Sequence, residues 1–199
     1  MGKIFLLTGA PATGKSTLRK NLVDQISSLV AFDYGQLLLD QKRGEGIDLT
    51  YESMRSNSSN VISFRHVKEM DERVIHRISE LRTSSHVVVD SHAVTREEFG
   101  FRAVPFSHEQ LGRIAFNAII ALRCDSEVIL SRIANDPAGR LSITRELAME
   151  HQILQESVGL SYAITCGCPF FVLDSTQLNA SALASKAREI LLTIIEDGF

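Results

Sequence analysis

One eight-residue stretch constrains this chain more than any other. Gly9-Ala-Pro-Ala-Thr-Gly14-Lys15-Ser16 fits the pattern G-x-x-x-x-G-K-[ST] and follows directly on the apolar run Ile4-Phe5-Leu6-Leu7. Glycines at both ends let backbone N–H groups curl around a polyphosphate. Lys15 reaches its outer oxygens, and the Ser16 hydroxyl stands at a helix N-terminus, where it can ligate Mg²⁺. The spacing also arises by chance, so its context decides. Here a strand precedes it and a helix follows, and the combination implies a bound nucleoside triphosphate.

The alternation of strands and helices continues along the chain. Lys3 to Thr8 reads as a buried strand because its apolar run is continuous rather than alternating. Leu18, Leu22, Ile26 and Leu29 fall on one face of a following helix. Later strands are expected at His86 to Asp90, Ala118 to Arg123 and Phe170 to Asp174, with a fifth at Leu29 to Phe32. Helical stripes run through Val67, Met70, Val74, Ile78 and Leu81, within a helical reading from Tyr51 to Leu81. Two more follow, Leu147, Leu154, Val158 and Tyr162 within a helix from about Thr144 to Thr165, and Leu183, Ala187, Ile190 and Ile194 near the end. His151, on the second of these helices, reads as a packing or solvent-facing residue. The order predicts an α/β fold in which a parallel five-stranded sheet is flanked by helices. Ligands of such a sheet bind beyond the carboxyl ends of the strands. Gly9 to Ser16, Asp90-Ser91-His92 and Asp174-Ser175-Thr176 each follow a strand and therefore converge on one crevice.

A chain of 199 residues with 44% hydrophobic content buries one ordinary core, so a single domain over 1–199 is expected. The net charge of −3 offers no broad basic field and disfavours a nucleic-acid partner. No apolar run approaches the roughly 20 residues that span a bilayer, and the expectation is a soluble, cytoplasmic protein with no membrane partner. A homo-oligomer is left open. Cys124, Cys166 and Cys168 form a sparse, odd set, expected to be reduced. Cys166-Gly-Cys168 reads as small residues near a turn, not as half of a zinc site.

Phosphoryl transfer needs positive charge around the moving group and a carboxylate to orient a Mg²⁺ shell. Asp90, ending a strand, is the candidate carboxylate, or else caps the next turn. Ser91 and His92 beside it could touch an acceptor or satisfy local hydrogen bonds. Arg132, Arg140 and Arg145 span a segment broken at Asp136-Pro137 and containing Gly139, the composition of a mobile flap that could close on the γ-phosphate and exclude water. Arg55 and Arg102 are candidates for clamping an acceptor phosphate. Lys15, Arg132, Arg140 and Asp90 are thus the expected catalytic residues, with Ser16 and Asp90 toward the metal and His92, Arg102, Arg55 and Arg145 toward the acceptor.

These segments in order resemble the P-loop nucleoside monophosphate kinases, most closely the compact archaeal-type adenylate kinases, over nearly the whole chain. The resemblance rests on G-A-P-A-T-G-K-S-T after the first strand, F-D-Y-G around Tyr34 and M-R at 54 and 55. It continues through V-V-V-D-S-H at 87 to 92, G-F-R-A-V-P at 100 to 105, and the helix E-L-A-M-E-H-Q-I-L-Q-E-S-V-G-L-S-Y-A at 146 to 163. It implies that Gly9 to Thr17, with Ala10, Ala12, Thr13 and Gly14 among them, hold the ATP phosphates, and that Thr176 borders the adenine. Arg132 and Arg140, with Arg145, would form a lid at about 132–145. Tyr34, Gly35, Arg55 and Arg102 would line a helical monophosphate-binding insertion at about 35–83 and its surroundings. The implied reaction is ATP plus AMP giving two ADP, with Mg²⁺. The chain departs from the family at Gln36, where an acidic residue is usual, and in the wide spacing of Arg140 and Arg145.

A monophosphate acceptor is already anionic near neutral pH, its second ionisation lying near pKa ~6, so no strong base is required. Two other readings fit the same loop. One is a kinase acting on a hydroxyl of a small metabolite, nucleoside or RNA end, with Asp90 as proton acceptor; the other is a non-catalytic ATP-gated binding module.

Overall fold

The computed structural model describes residues 1–44, 64–136 and 142–197. Its centre is a parallel sheet of five strands, β1 (Ile4–Gly9), β2 (Leu29–Asp33), β3 (His86–Asp90), β6 (Ala118–Arg123) and β7 (Phe170–Asp174), in the order β2-β3-β1-β6-β7. From β1 the chain moves to one side for β2 and β3 and returns past β1 for β6 and β7. That reversal opens a crevice beyond the carboxyl end of β1. The five strands match the sequence expectation. The short antiparallel hairpin β4 (Val94–Glu97) and β5 (Gly100–Ala103) was not anticipated. Its strands carry little apolar patterning, and partners outside the hairpin hold it.

Seven described helices cover the sheet: α1 (Lys15–Gln25), α2 (Tyr34–Gly44), α3 (Phe64–Leu81), α4 (His108–Ile114), α5 (Ser126–Ala134), α6 (Arg145–Cys166) and α7 (Ala180–Asp197). None of them is long and apolar enough to cross a membrane. Successive residues of β1 point to opposite faces, which explains its unbroken apolar run. Ile4 and Leu6 join a core with Val87, Val89, Met70, Val74 and Ile78. Phe5 and Leu7 join the other with Leu18, Leu22, Leu183, Ala187 and Leu191. Each such side chain larger than alanine contributes roughly 1.5–3 kcal/mol by leaving water. The stripes expected on α3 and α7 are the faces that pack.

Three expectations are corrected or bounded. α1 ends at Gln25, with Ile26 already extended, so Leu29 belongs to β2 rather than to the helical stripe. The helical reading from Tyr51 begins in the described chain only at Phe64, and residues 45–63 lie outside the described residues, as do residues 137–141 of the expected flap. The third correction concerns α6. It starts at the Thr144 cap, as expected, and ends at Gly167, whose φ of 64° is a left-handed cap that glycine adopts without penalty. Yet its fully buried face is Ala148, His151, Gln152, Gln155, Gly159, Tyr162 and Ala163. Leu147, Leu154 and Val158 are only half-buried.

The reason lies in what α6 crosses. Strand ends and the start of the hairpin present backbone groups and hydroxyls that need partners, and aliphatic side chains supply none. Gln155 accepts from the Val94 N–H at 3.0 Å and donates to the Thr8 hydroxyl at 2.7 Å. Gln152 accepts from the Cys124 N–H at 2.8 Å. His151 Nε2 donates to the Val94 carbonyl at 3.0 Å, and its ring lies 5.0 Å from that of Phe101 on β5. Both backbone groups of Val94 are thus held by α6. Replacing Gln155 with Leu should lower unfolding free energy by about 2 kcal/mol or more, because it strands a buried N–H and a buried hydroxyl. Urea titration measures the loss, and unchanged stability would show that the contacts do not anchor the hairpin.

Candidate active site

The crevice encloses about 640 Å³ at the ends of β1, β2 and β3. Its floor is the loop from β1 to α1. Gly9 leaves the strand at φ 146°, and Ala12 and Gly14 are left-handed at 64° and 101°. Such turns aim successive N–H groups to one side. A Cβ on Gly9 would stand 2.7 Å from the Leu122 carbonyl oxygen of β6, so glycine is required there. The loop is braced from three directions: Thr13 Oγ1 donates to the Ala10 carbonyl at 2.9 Å, Ser175 Oγ to the Thr13 carbonyl at 2.8 Å, and Arg132 Nη1 to the Ala12 carbonyl at 2.8 Å.

α1 then opens at Gly14 with no side-chain cap and no acid in its first turn. By contrast α4, α5 and α6 are capped by Ser107, Asp125 and Thr144. N–H groups at a helix start that no side chain meets are a ready anion site. Lys15 Nζ arches back over the loop, donating to the Gly9 and Ala10 carbonyls at 2.7 and 3.0 Å. Ser16 and Thr17 line the same crevice with their side chains exposed.

Beside the loop, β-sheet register sets Asp90 opposite Leu7 on one side and Asp33 on the other. Arg19, one turn beyond Lys15, bridges the two carboxylates, with Nη1 3.3 Å from Asp33 and Nε 3.6 Å from Asp90. Asp90 is only 5% exposed. Burial, aided by the charge of Asp33, holds its pKa above the ordinary carboxylate value, while Lys15 and Arg19 pull it back. A buried, incompletely neutralised carboxylate next to a loop that offers Ser16 fits a divalent cation.

On the far side of the crevice stand Tyr34 and Gly35 from the start of α2, Leu38, Val67 and Asp71, with Phe106 and Tyr162. Arg102 pairs with buried Glu97 at 3.1 Å, and the Thr95 hydroxyl donates to the same carboxylate at 2.9 Å. Arg96 donates to the Ser142 carbonyl at 2.6 Å. His151 is kept below its ordinary pKa by burial, with the charges of Lys15 and Arg96 acting the same way. It is therefore a neutral donor built into the wall.

Of the residues expected from sequence, the structure brings Ala10, Ala12, Thr13, Gly14, Lys15, Ser16, Thr17, Tyr34, Gly35, Asp90, His92, Arg102 and Arg132 to this crevice, with Gly9 beneath the loop. Arg55 and Arg140 lie outside the described residues. Thr176 and Arg145 do not line the crevice. The Thr176 hydroxyl accepts the Asp125 N–H at 2.8 Å, and Ser175 is the residue that faces the loop. Arg145, first in α6, points outward, with Nε 3.8 Å from Glu127. Arg19, Asp33, Asp71 and Arg96 line or brace the site and were not singled out, and Ser175 was expected only within the segment Asp174-Ser175-Thr176. Two carried a signal: Arg19, four residues after Lys15 on the same helical face, and Asp71, a carboxylate within the apolar stripe of α3.

Because burial raises the pKa of Asp90, its charge opposes folding once the pH exceeds the ordinary carboxylate range. Asp90→Asn should therefore raise the Tm of the nucleotide-free protein at pH 7, and the gain should shrink as the pH falls and the native carboxyl protonates. A lower Tm at pH 7 would mean that Arg19 and Lys15 outweigh desolvation.

The match to known proteins follows the same geometry. An "Adenylate kinase" of Thermococcus onnurineus (strain NA1) is 26% identical over 163 residues, covering 81% of this chain and 80% of the relative. An "Adenylate kinase" of Thermoplasma acidophilum is 25% identical over 192 residues, covering 96% and 97%. Among solved structures, the shikimate kinase of Acinetobacter baumannii superposes with a TM-score of 0.58 at 14% identity, covering 97% of this chain and 94% of that one. A gluconokinase from Sinorhizobium meliloti 1021 gives 0.52 at 16%, covering 98% and 94%. These last two show a common fold. Residues 8–148 match the AAA_17 model, described as an AAA domain, and the chain accordingly belongs to that family as a P-loop kinase, an ATP-dependent phosphotransferase.

Proposed function

We propose that this kinase transfers the γ-phosphate of ATP to a nucleoside monophosphate, AMP foremost, giving two ADP. The observation that carries the reading is the chemistry of the crevice's far end. Leu38, Val67, Tyr34, Phe106 and Tyr162 make an apolar, aromatic wall in the same crevice as Arg96, Arg102 and Arg132. A flat base suits such a wall, and a phosphate suits the arginines. A densely hydroxylated acid would want more hydrogen-bonding groups than those walls offer. The similarity to adenylate kinases supports the same choice.

In this reading the loop N–H groups and Lys15 hold the ATP phosphates, and Arg132 stands at the loop's rim. Ser16 and Asp90 would hold Mg²⁺, which when bound supplies charge neutralisation between phosphates. The acceptor's own anionic oxygen attacks, so the protein aligns the partners and neutralises charge instead of removing a proton. The segment of about 35–83 serves as the acceptor side and 132–145 as the lid. A second reading draws on the carboxylates at the strand ends: Asp33 and Asp90, joined through Arg19, could receive a proton from a hydroxyl acceptor. The likeness in fold to shikimate kinase and gluconokinase keeps that chemistry in view.

A panel of acceptors with coupled ADP detection separates the two. Fast ADP formation with AMP and none with hydroxyl compounds is expected, and the reverse pattern would replace the proposal with the second reading. Lys15→Ala should lower kcat by about 10²-fold or more while circular dichroism stays native. Arg132→Ala should lower kcat more than it weakens ATP binding, since in this reading the guanidinium turns from the Ala12 carbonyl to the transferred group and acts mostly in the transition state. Equal loss in both would make Arg132 a binding residue only.

A further inference from the structure

The acceptor end holds a carboxylate that the transfer chemistry does not use. Asp71 stands one turn after Val67 on the buried stripe of α3, is 5% exposed, and lines the crevice. The Tyr34 hydroxyl donates to its Oδ1 at 2.7 Å, and Gln110 Nε2 donates to its Oδ2 at 3.1 Å. Gln110 cannot turn its amide over. Its Oε1 accepts the Ser107 N–H at 2.8 Å in the capping box that starts α4, so the amino group must face Asp71. Two donors thus fix Asp71 as an acceptor, and each oxygen retains a further lone pair.

Among the described residues, neither hydrogen-bond partner of Asp71 is a cation. Burial holds its carboxyl above the ordinary range, so the charge is under-compensated, and one more donor would relieve it. The surrounding walls are aromatic. The rings of Tyr34 and Phe106 meet edge-on at 6.4 Å, those of Phe106 and Tyr162 lie 5.8 Å apart, and the Tyr162 hydroxyl accepts the Phe106 N–H at 2.8 Å. A planar heterocycle can stack there with its edge toward Asp71. An exocyclic amino group on that edge donates to the carboxylate, whereas an exocyclic oxo group in its place sets acceptor against acceptor.

We propose that Asp71 is the specificity-determining residue of the acceptor site, selecting a nucleobase that presents an exocyclic amino group over its oxo counterpart. The proposal rests on the monophosphate reading above. AMP and IMP form the test pair, since IMP sets an exocyclic oxo group where AMP has the amino group, with an N1–H in place of the bare N1.

The experiment measures kcat/KM of the full chain for AMP and IMP, with ATP binding followed by calorimetry as a control for folding. The native protein should prefer AMP by about 10- to 100-fold, the range of a charge-assisted hydrogen bond lost. In Asp71→Asn, which sets an amide N–H where the acceptor was, the ratio should fall to about 3-fold or less. Asp71→Ser, which removes the carboxylate without adding an opposing N–H, should do the same and covers the case in which the Asn variant does not fold. A general structural role would lower both substrates together and leave the ratio unmoved. Equal use of AMP and IMP by the native protein, or a ratio that survives in a variant that still binds ATP, overturns the assignment. If no monophosphate is accepted while a hydroxyl compound is, the monophosphate reading falls and the assignment of Asp71 with it. Acceptance of monophosphates without a dependence on Asp71 removes the assignment alone.

Discussion

The N–H groups at the start of α1 have no side chain to meet them, and much of the molecule is arranged around that fact. Every other described helix with an assigned cap begins at Ser107, Asp125 or Thr144, whose oxygen takes a backbone donor. Gly14 offers nothing of the kind. Holding such a loop open requires a left-handed Ala12, a conformation that costs a residue with a Cβ roughly 1–2 kcal/mol. The surroundings offset it. Thr13, Ser175 and Arg132 each donate to a loop carbonyl, so the donors are left to face the crevice while the acceptors are consumed behind them.

α6 plays the complementary part for the other half of the site. Its polar residues do for the ends of β1 and β6 and for the β4–β5 hairpin what strand pairing does elsewhere in the sheet. Through Val94 they fix a hairpin that carries Arg96 and Arg102, and Arg96 reaches on to the Ser142 carbonyl just ahead of α6 itself. The phosphate loop, the aromatic wall and the residues just ahead of α6 therefore share one helix as their common support.

How much of this was legible follows from the physics of each element. β1, β3 and β6 are buried on both faces and had to be continuously apolar, so their runs in the sequence were unambiguous. The loop was legible because its backbone geometry demands glycine at fixed spacing. The buried face of α6 was misread because an apolar stripe was sought where the neighbours call for hydrogen-bond partners. That demand arises from Val94, Thr8 and Cys124, which are remote in sequence. The partner of the Thr176 hydroxyl was hidden for a similar reason, Asp125 being remote in sequence. Asp71 could have been noticed, since a carboxylate between Val67 and Val74 interrupts a packing stripe. What it faces was not readable from α3 alone.

The position of β1 in the middle of the sheet bears on how the chain is made. β1 is the first strand in chain order, yet its neighbours are β3, where Ile4 lies level with Val87, and β6, where Phe5 lies level with Ala118. One of its faces is covered by α7, through Leu183, Ala187 and Leu191. During synthesis from the ribosome, Ile4 to Leu7 must wait for most of the polypeptide to emerge before they are enclosed. Pairings of such long sequence separation form slowly. The segment that makes the finished enzyme's innermost strand is thus the one longest in need of shelter while the nascent chain grows.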